Sequence, residues 1–138
     1  MSATVMIVAG GTGGHVYPGL AVAQALRDAG VDLHWLGTQR GLEARVVPAH
    51  GIPFTTIPIA GLRRSGLLRW LAAPMTISIA LYHAIRAIRR ARPQAVLGMG
   101  GFVSGPGGVA AWLCRRPLIN HEQNAIPGLT NNVLSRSA

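Results

Sequence analysis

Apolar and polar positions along this chain fall into blocks that alternate between two periods. Val5 to Ala9 and Val31 to Leu36 are short, nearly continuous apolar runs of strand length, and Phe54 to Ile59 is a further one. Between them the spacing is helical from Pro18 to Ala29, with proline suited to a first turn and Gly30 to the stop, and again near Leu42 to Ala49. A long apolar and basic helical stretch comes next, expected to break near Pro74 and to end before Pro93. Ala95 to Leu97, Gly105 to Leu113, Leu118 to His121 and Leu129 to Ser135 continue the alternation. Such a pattern predicts an α/β fold, a Rossmann-like parallel sheet with helices on both faces. Ligands of these sheets sit beyond the strand C-termini.

Two glycine-rich segments fall at those ends. Gly10-Gly11-Thr12-Gly13-Gly14-His15 follows the first strand, and Gly98-Met99-Gly100-Gly101-Phe102-Val103-Ser104-Gly105-Pro106-Gly107-Gly108 follows the run at Ala95 to Leu97. Glycine lets the main chain come close to a ligand, and the helix start beyond it supplies unpaired N–H donors and partial positive charge. That is chemistry for a phosphate or diphosphate. A P-loop is excluded because the chain contains no lysine. The dinucleotide fingerprint also fails: reading from Gly11, Val16 stands at the third glycine position, and Trp35-Leu36-Gly37-Thr38-Gln39 carries no acid for a ribose. A polar cluster, His121-Glu122-Gln123-Asn124, follows the strand at Leu118 and could orient sugar hydroxyls, bind amides or move protons. Asn120 before it is a polar residue where a buried strand would normally continue.

Composition narrows the class. The 138 residues suit one domain with a real core. Although 49% of them are hydrophobic, the best candidate for a membrane span, Leu67 to Ile85, contains Arg69, Pro74 and His83. Met1 runs into the first strand without a basic start or cleavage site, so a cytosolic protein is expected. The lone Cys114 reads as core. A formal charge of +9, from thirteen arginines against four acids, favours an anionic partner: nucleic acid, an acidic membrane surface or a phosphorylated substrate. On a helical wheel Met75 to Arg92 places Ile77, Leu81, Ala84 and Ile88 on one face, and Met75, Ile79, Tyr82, Arg86, Arg89 and Arg90 on the other. The second face, with Arg63, Arg64, Arg69, Trp70 and Leu71 before it, suits the surface of an anionic leaflet.

The run Gly10 to Ala21, the run Gly98 to Gly108 and His121-Glu122-Gln123-Asn124, in this order along nearly the whole chain, resemble the N-terminal half of the MurG family. These are bacterial peptidoglycan glycosyltransferases that add N-acetylglucosamine from UDP-N-acetylglucosamine to lipid I, giving lipid II. The resemblance implies the N-terminal half of a GT-B fold, a metal-free inverting transfer with no cofactor, and a peripheral position at the cytoplasmic face of the inner membrane. It implies that Thr12, Gly13, Gly14 and Asn124 contribute to the donor side. Gly14, His15, Gly101, Phe102, Ser104, Gly105, Gly107, Gly108, His121 and Gln123 would hold the diphosphate and sugar of the acceptor. His15 is the first candidate for the base that deprotonates the attacking hydroxyl, with phosphate contact as a cation its competing role; Glu122 is the second candidate base. UDP-N-acetylglucosamine, lipid I, the anionic membrane surface and other cell-wall synthesis proteins are the expected partners, and nucleic acid is not. Residues 1–138 read as the acceptor and membrane-binding domain, stopping at Ser135-Arg136-Ser137-Ala138 inside a helical pattern, with no donor domain. The alternative is a non-catalytic phosphate-sugar-binding module that works with a separate donor-domain chain.

Overall fold

The structure, a computed structural model, describes residues 3–11, 13–58, 67–100 and 103–120, with the side chains of all of these except 13 and 67–73. The order is β1 (Thr4–Ala9), α1 (Gly13–Asp28), β2 (Asp32–Gly37), α2 (Glu43–Ala49), β3 (Phe54–Thr56), α3 (Leu67–Ala91), β4 (Ala95–Gly100), α4 (Ser104–Leu113) and β5 (Leu118–Asn120). All strand pairs are parallel, in the order β3-β2-β1-β4-β5. The expected doubly covered sheet is therefore present. β1 lies at its centre, and both of its faces are buried: Met6 and Val8 join one apolar cluster, Ile7 and Ala9 the other. This is why its sequence reads as a continuous apolar run rather than an alternating one.

Each cluster belongs to one helical layer. Val16 and Ala23 of α1 and Val47 of α2 pack with Trp35, Leu33 and Met99. Ala80, Ala84, Ala87 and Ile88 of α3 and Ala110 and Ala111 of α4 pack with Leu36, Val96 and Leu118. Alanine dominates the second layer because helices that also pack on each other need short side chains at their contact. Cys114, after α4, is partly buried against the same cluster.

Several boundaries differ from the sequence pattern, each for a local reason. α1 starts at Gly13 and not at Pro18, which stands inside the helix. There the missing N–H costs a single bond to the carbonyl of Gly14, and the helix gains a turn. Its end is as expected: Val31 N–H donates to the Leu26 carbonyl and Gly30 N–H to the Arg27 carbonyl, each over 3.0 Å, the paired bonds of a glycine-terminated helix. α3 runs unbroken through Pro74, whose carbonyl accepts a 2.8 Å bond from the Ser78 hydroxyl. Among its described side chains the first fully buried one is Ala80, and Ile77, expected on the packed face, is half exposed. β4 extends through Gly98 and Met99 to Gly100, because its pairing with β1 supplies main-chain bonds that glycine cannot advertise in sequence. β3 stops at Thr56. The helix expected at Leu129 to Ser135 lies outside the described residues, as do Ile59 and His121.

His34, on β2, bonds Thr55 Oγ1 on β3 over 2.7 Å. Burial lowers its pKa below the ordinary value of 6.5, so the folded chain resists a proton that the unfolded chain accepts. Stability present above pH 6.5 is therefore lost as the pH falls through 6.5 toward the depressed folded value. The loss of urea midpoint between neutral pH and pH about 5 is expected to be smaller in His34→Gln, which keeps a polar partner for Thr55 but does not titrate.

Candidate functional site

The strand order reverses direction between β1 and β4, since the chain leaves β1 toward β2 on one side and reaches β4 on the other. In an open parallel sheet this is where the loops diverge and leave a crevice at the strand C-termini. Both glycine segments start there. The pairing is irregular at its end: Val8 faces Gly98 but Ala9 faces Gly100, so β4 carries one extra residue. Such a bulge bends the strand and redirects the chain beyond it.

The bulge brings His15 and Gly100 together. Gly100 has φ +107°, and a β-carbon there would stand 2.5 Å from His15 Nδ1. Glycine at this position thus meets both a backbone demand and a steric one. His15 is half-buried, and its buried Nδ1 has no hydrogen-bond partner among the described residues. The ring sits in the first turn of α1, beside the amides of Gly13 and Gly14, which a helix leaves without internal partners. Trp35 fixes this end of the sheet, donating its indole N–H to the Ala9 carbonyl over 3.0 Å.

The second segment divides into two roles. Ser104 is buried, with its Oγ accepting from Gly100 N–H at 3.0 Å and lying 2.9 Å from the Gly100 carbonyl. Its hydroxyl therefore ties β4 to α4, and its outward contribution is its backbone at the helix start. Gly105 is half-buried in the same first turn. Gly107, expected on the acceptor side, has a packing role. Its amide donates to the Val103 carbonyl, and a β-carbon on it would come within 2.7 Å of Val8 Cγ1. It lets α4 approach β1, and Gly108 is buried beside it. Thr12, Gly101, Phe102, His121, Glu122, Gln123 and Asn124 lie outside the described residues.

One contributor to this region carries no mark in the sequence. Glu43, wholly buried at the start of α2, accepts from Gly11 N–H at 3.1 Å through Oε1, and from Thr38 N–H at 2.8 Å and Thr38 Oγ1 at 3.0 Å through Oε2. An acid at the head of a short helix reads in sequence as a solvated favourable charge, with nothing to distinguish it as buried. The Gly11 amide, expected to face a ligand, is thus occupied from within.

On the opposite helical layer, α3 exposes Met75, Ile79 and Tyr82 together with Arg86, Arg89 and Arg90. Tyr82, Ile85, Arg86, Arg89 and Arg90 line a shallow groove of about 490 Å³. α4, packed on α3, exposes Trp112 and Leu113, an aromatic contribution absent from the sequence-based expectation. Arg63 and Arg64 lie outside the described residues, and the side chains of Arg69, Trp70 and Leu71 do as well.

Residues 5–138 match the glycosyltransferase family 28 N-terminal domain. The chain belongs to that family. Its relatives include the UDP-N-acetylglucosamine--N-acetylmuramyl-(pentapeptide) pyrophosphoryl-undecaprenol N-acetylglucosamine transferases of Alkalilimnicola ehrlichii and Nitrosococcus oceani. They are 62% identical over 100% of this chain and 57% identical over 98% of it. The crystal structure of Acinetobacter baumannii MurG superposes with a TM-score of 0.87 at 47% identity, covering 99% of this chain and 39% of that one. The chain spans 39% and 38% of the lengths of the two sequence relatives. The parallel α/β sheet expected from the strand–helix alternation and the resemblance to the MurG family are both borne out.

Within this family 28 domain the Gly100–His15 contact makes a local prediction. Gly100→Ala adds both backbone strain at positive φ and an overlap with the ring, and is expected to destabilise the fold by about 1–3 kcal/mol. Urea unfolding measures the loss. The imidazole proton resonances of His15 are expected to shift in the same variant, because the ring must leave its place; unchanged resonances would contradict the contact.

Proposed function

We propose that the chain supplies the acceptor side of an inverting transfer of N-acetylglucosamine from UDP-N-acetylglucosamine to the C4 hydroxyl of the muramoyl sugar of lipid I, forming lipid II. The observation that carries this reading is the convergence of two helix starts and His15 on one crevice, in a chain 62% identical to a transferase named for that reaction. A diphosphate-linked acceptor needs backbone donors and positive potential. The first turns of α1 and α4, at Gly13, Gly14 and Gly105, offer both.

The attacking hydroxyl must lose its proton while the bond from the donor sugar C1 to the UDP oxygen breaks and UDP leaves as an anion. His15 is the proposed base, with its Nδ1 side turned against Gly100 and Nε2 left to take the proton. A bound diphosphate beside it would favour the imidazolium that forms. Glu122 is the second candidate base. Thr12, Gly13, Gly14 and Asn124 are proposed toward the donor, and Gly14, His15, Gly101, Phe102, Ser104, Gly105, Gly107, Gly108, His121 and Gln123 toward the acceptor. The donor site itself belongs to a further domain, which the whole transferase requires.

The exposed face of α3 and α4 is proposed to rest on the anionic cytoplasmic surface of the inner membrane, where the acceptor's lipid tail is anchored and other cell-wall synthesis proteins gather. Among the described residues no helix is long and apolar enough to cross a membrane. The combination of Met75, Ile79, Tyr82 and Trp112 with Arg86 and Arg89 suits apolar insertion at the level of the headgroups. Arg63, Arg64, Arg69, Trp70 and Leu71 are proposed to extend it.

The decisive experiment joins this chain to a family 28 donor domain and measures transfer of radiolabelled N-acetylglucosamine to a lipid I analogue. Transfer is expected, and His15→Ala is expected to lower kcat by about 10²–10⁴-fold. No transfer by the folded, joined protein would overturn the reading. For the membrane face, replacing Arg86 and Arg89 by Gln is expected to weaken binding to vesicles containing anionic phospholipid, by about 1 kcal/mol per arginine at low salt, with little effect on neutral vesicles.

A further inference from the structure

Glu43 is the most deeply buried ionisable side chain among the described residues, and its hydrogen bonds link the first glycine turn, at Gly11, to Thr38 after β2. Burying a carboxylate is costly unless donors surround it. Here Oε1 takes the Gly11 amide, and Oε2 takes both the amide and the hydroxyl of Thr38. Thr38 Oγ1 in turn accepts from Gly41 N–H at 3.2 Å. The neighbouring Leu42 N–H donates to the Gly11 carbonyl at 3.3 Å. Gly11 is therefore held through its N–H and its C=O by consecutive residues, Glu43 and Leu42. A β-carbon at Gly10, Gly37 or Gly41 would collide with the carboxylate, so the surrounding main chain is shaped to its volume.

Gly11 is exposed and has φ +105°, with no other described residue beyond its chain neighbours within 4 Å of where a β-carbon would stand. A glycine in open space has many conformations to choose from, and packing does not select this one. The bonds from α2 do. Two residues further along, α1 begins, and two beyond that stands His15.

We propose that Glu43 is a positioning residue for the transfer reaction: it fixes the Gly10–Gly11 turn, and through it the register of the Gly13 and Gly14 amides and the His15 ring. It also partitions the loop. A phosphate at the Gly11 amide would displace one anion with another, so the acceptor diphosphate is directed to the amides beyond it, at the helix start. This assignment rests on the proposed function for its substrate, but not for the clamp itself.

Glu43→Gln tests it, because an amide offers one acceptor oxygen and turns an NH2 toward the remaining donor, and so cannot satisfy Gly11 and Thr38 together. In the chain as it stands, hydrogen exchange at the Gly11 amide is expected to accelerate about tenfold or more in Glu43→Gln, as for loss of a charge-assisted bond, with β1 and β4 ladder amides unchanged. In the chain joined to a donor domain, KM for the lipid I analogue is expected to rise about tenfold, with a smaller change in kcat. Thr38→Ala is expected to raise KM less, and Thr38→Ser to restore it; this pair carries the test should Glu43→Gln fail to fold. Unchanged exchange at Gly11 would overturn the clamp. Accelerated exchange with an unchanged KM would overturn the positioning role. A wild-type joined protein without transfer would instead remove the proposed function, and the exchange measurement would still decide the clamp.

Discussion

The pairing of β1 with β4 is the constraint on which the rest of this structure depends. It closes the sheet around a strand buried on both faces, and it joins the two halves of the chain at the place where the order of the described strands reverses. Because both strands run in the same direction, their C-terminal ends meet, and each end carries a glycine segment leading into a helix. The bulge at the end of the pairing sets Gly100 against His15. Without that extra residue the two segments would still be neighbours, but the ring would have no defined seat.

Around this seam the chain manages charge in an uneven way. It carries a formal +9, yet the side chain that bonds the Gly11 amide is a carboxylate. Within the protein, Glu43 neutralises donors that would otherwise face the crevice, while the helix starts beyond it keep theirs. Arg86, Arg89 and Arg90 are exposed on the outer face of α3. The potential for holding a diphosphate thus comes from oriented backbone, and the potential for meeting an anionic surface comes from side chains. These two sources differ in reach, since aligned dipoles act within about one helical turn whereas exposed cations act over about 10 Å at 0.1 M salt.

Much of the fold was legible in sequence. The apolar runs of β1, β2 and β3, the stop of α1 at Gly30 and the doubly covered parallel sheet all follow from periodicity and local preference, which act over a few residues. Pro18 and Pro74 misled because proline is a strong local signal, while a helix already secured by packing tolerates the loss of one bond. At the site, the glycine segments and His15 could be read from composition. The separate roles of Gly100, Ser104 and Gly107 could not, because each depends on a neighbour far away in the chain: Gly100 on His15, and Ser104 and Gly107 on Val8.

By itself, the sequence determined which residues could form strands and helices, where glycine would open the main chain, and to which family the motifs belong. These are properties of short segments and their order. Only the tertiary structure decided which amides stay free and which are taken. Gly11, Gly13 and Gly14 look alike in sequence, yet Gly11 is bound by a carboxylate 32 positions away, while the other two open a helix. A hydrogen bond is specific to the pair that makes it, and when the partner is remote, no local pattern records it.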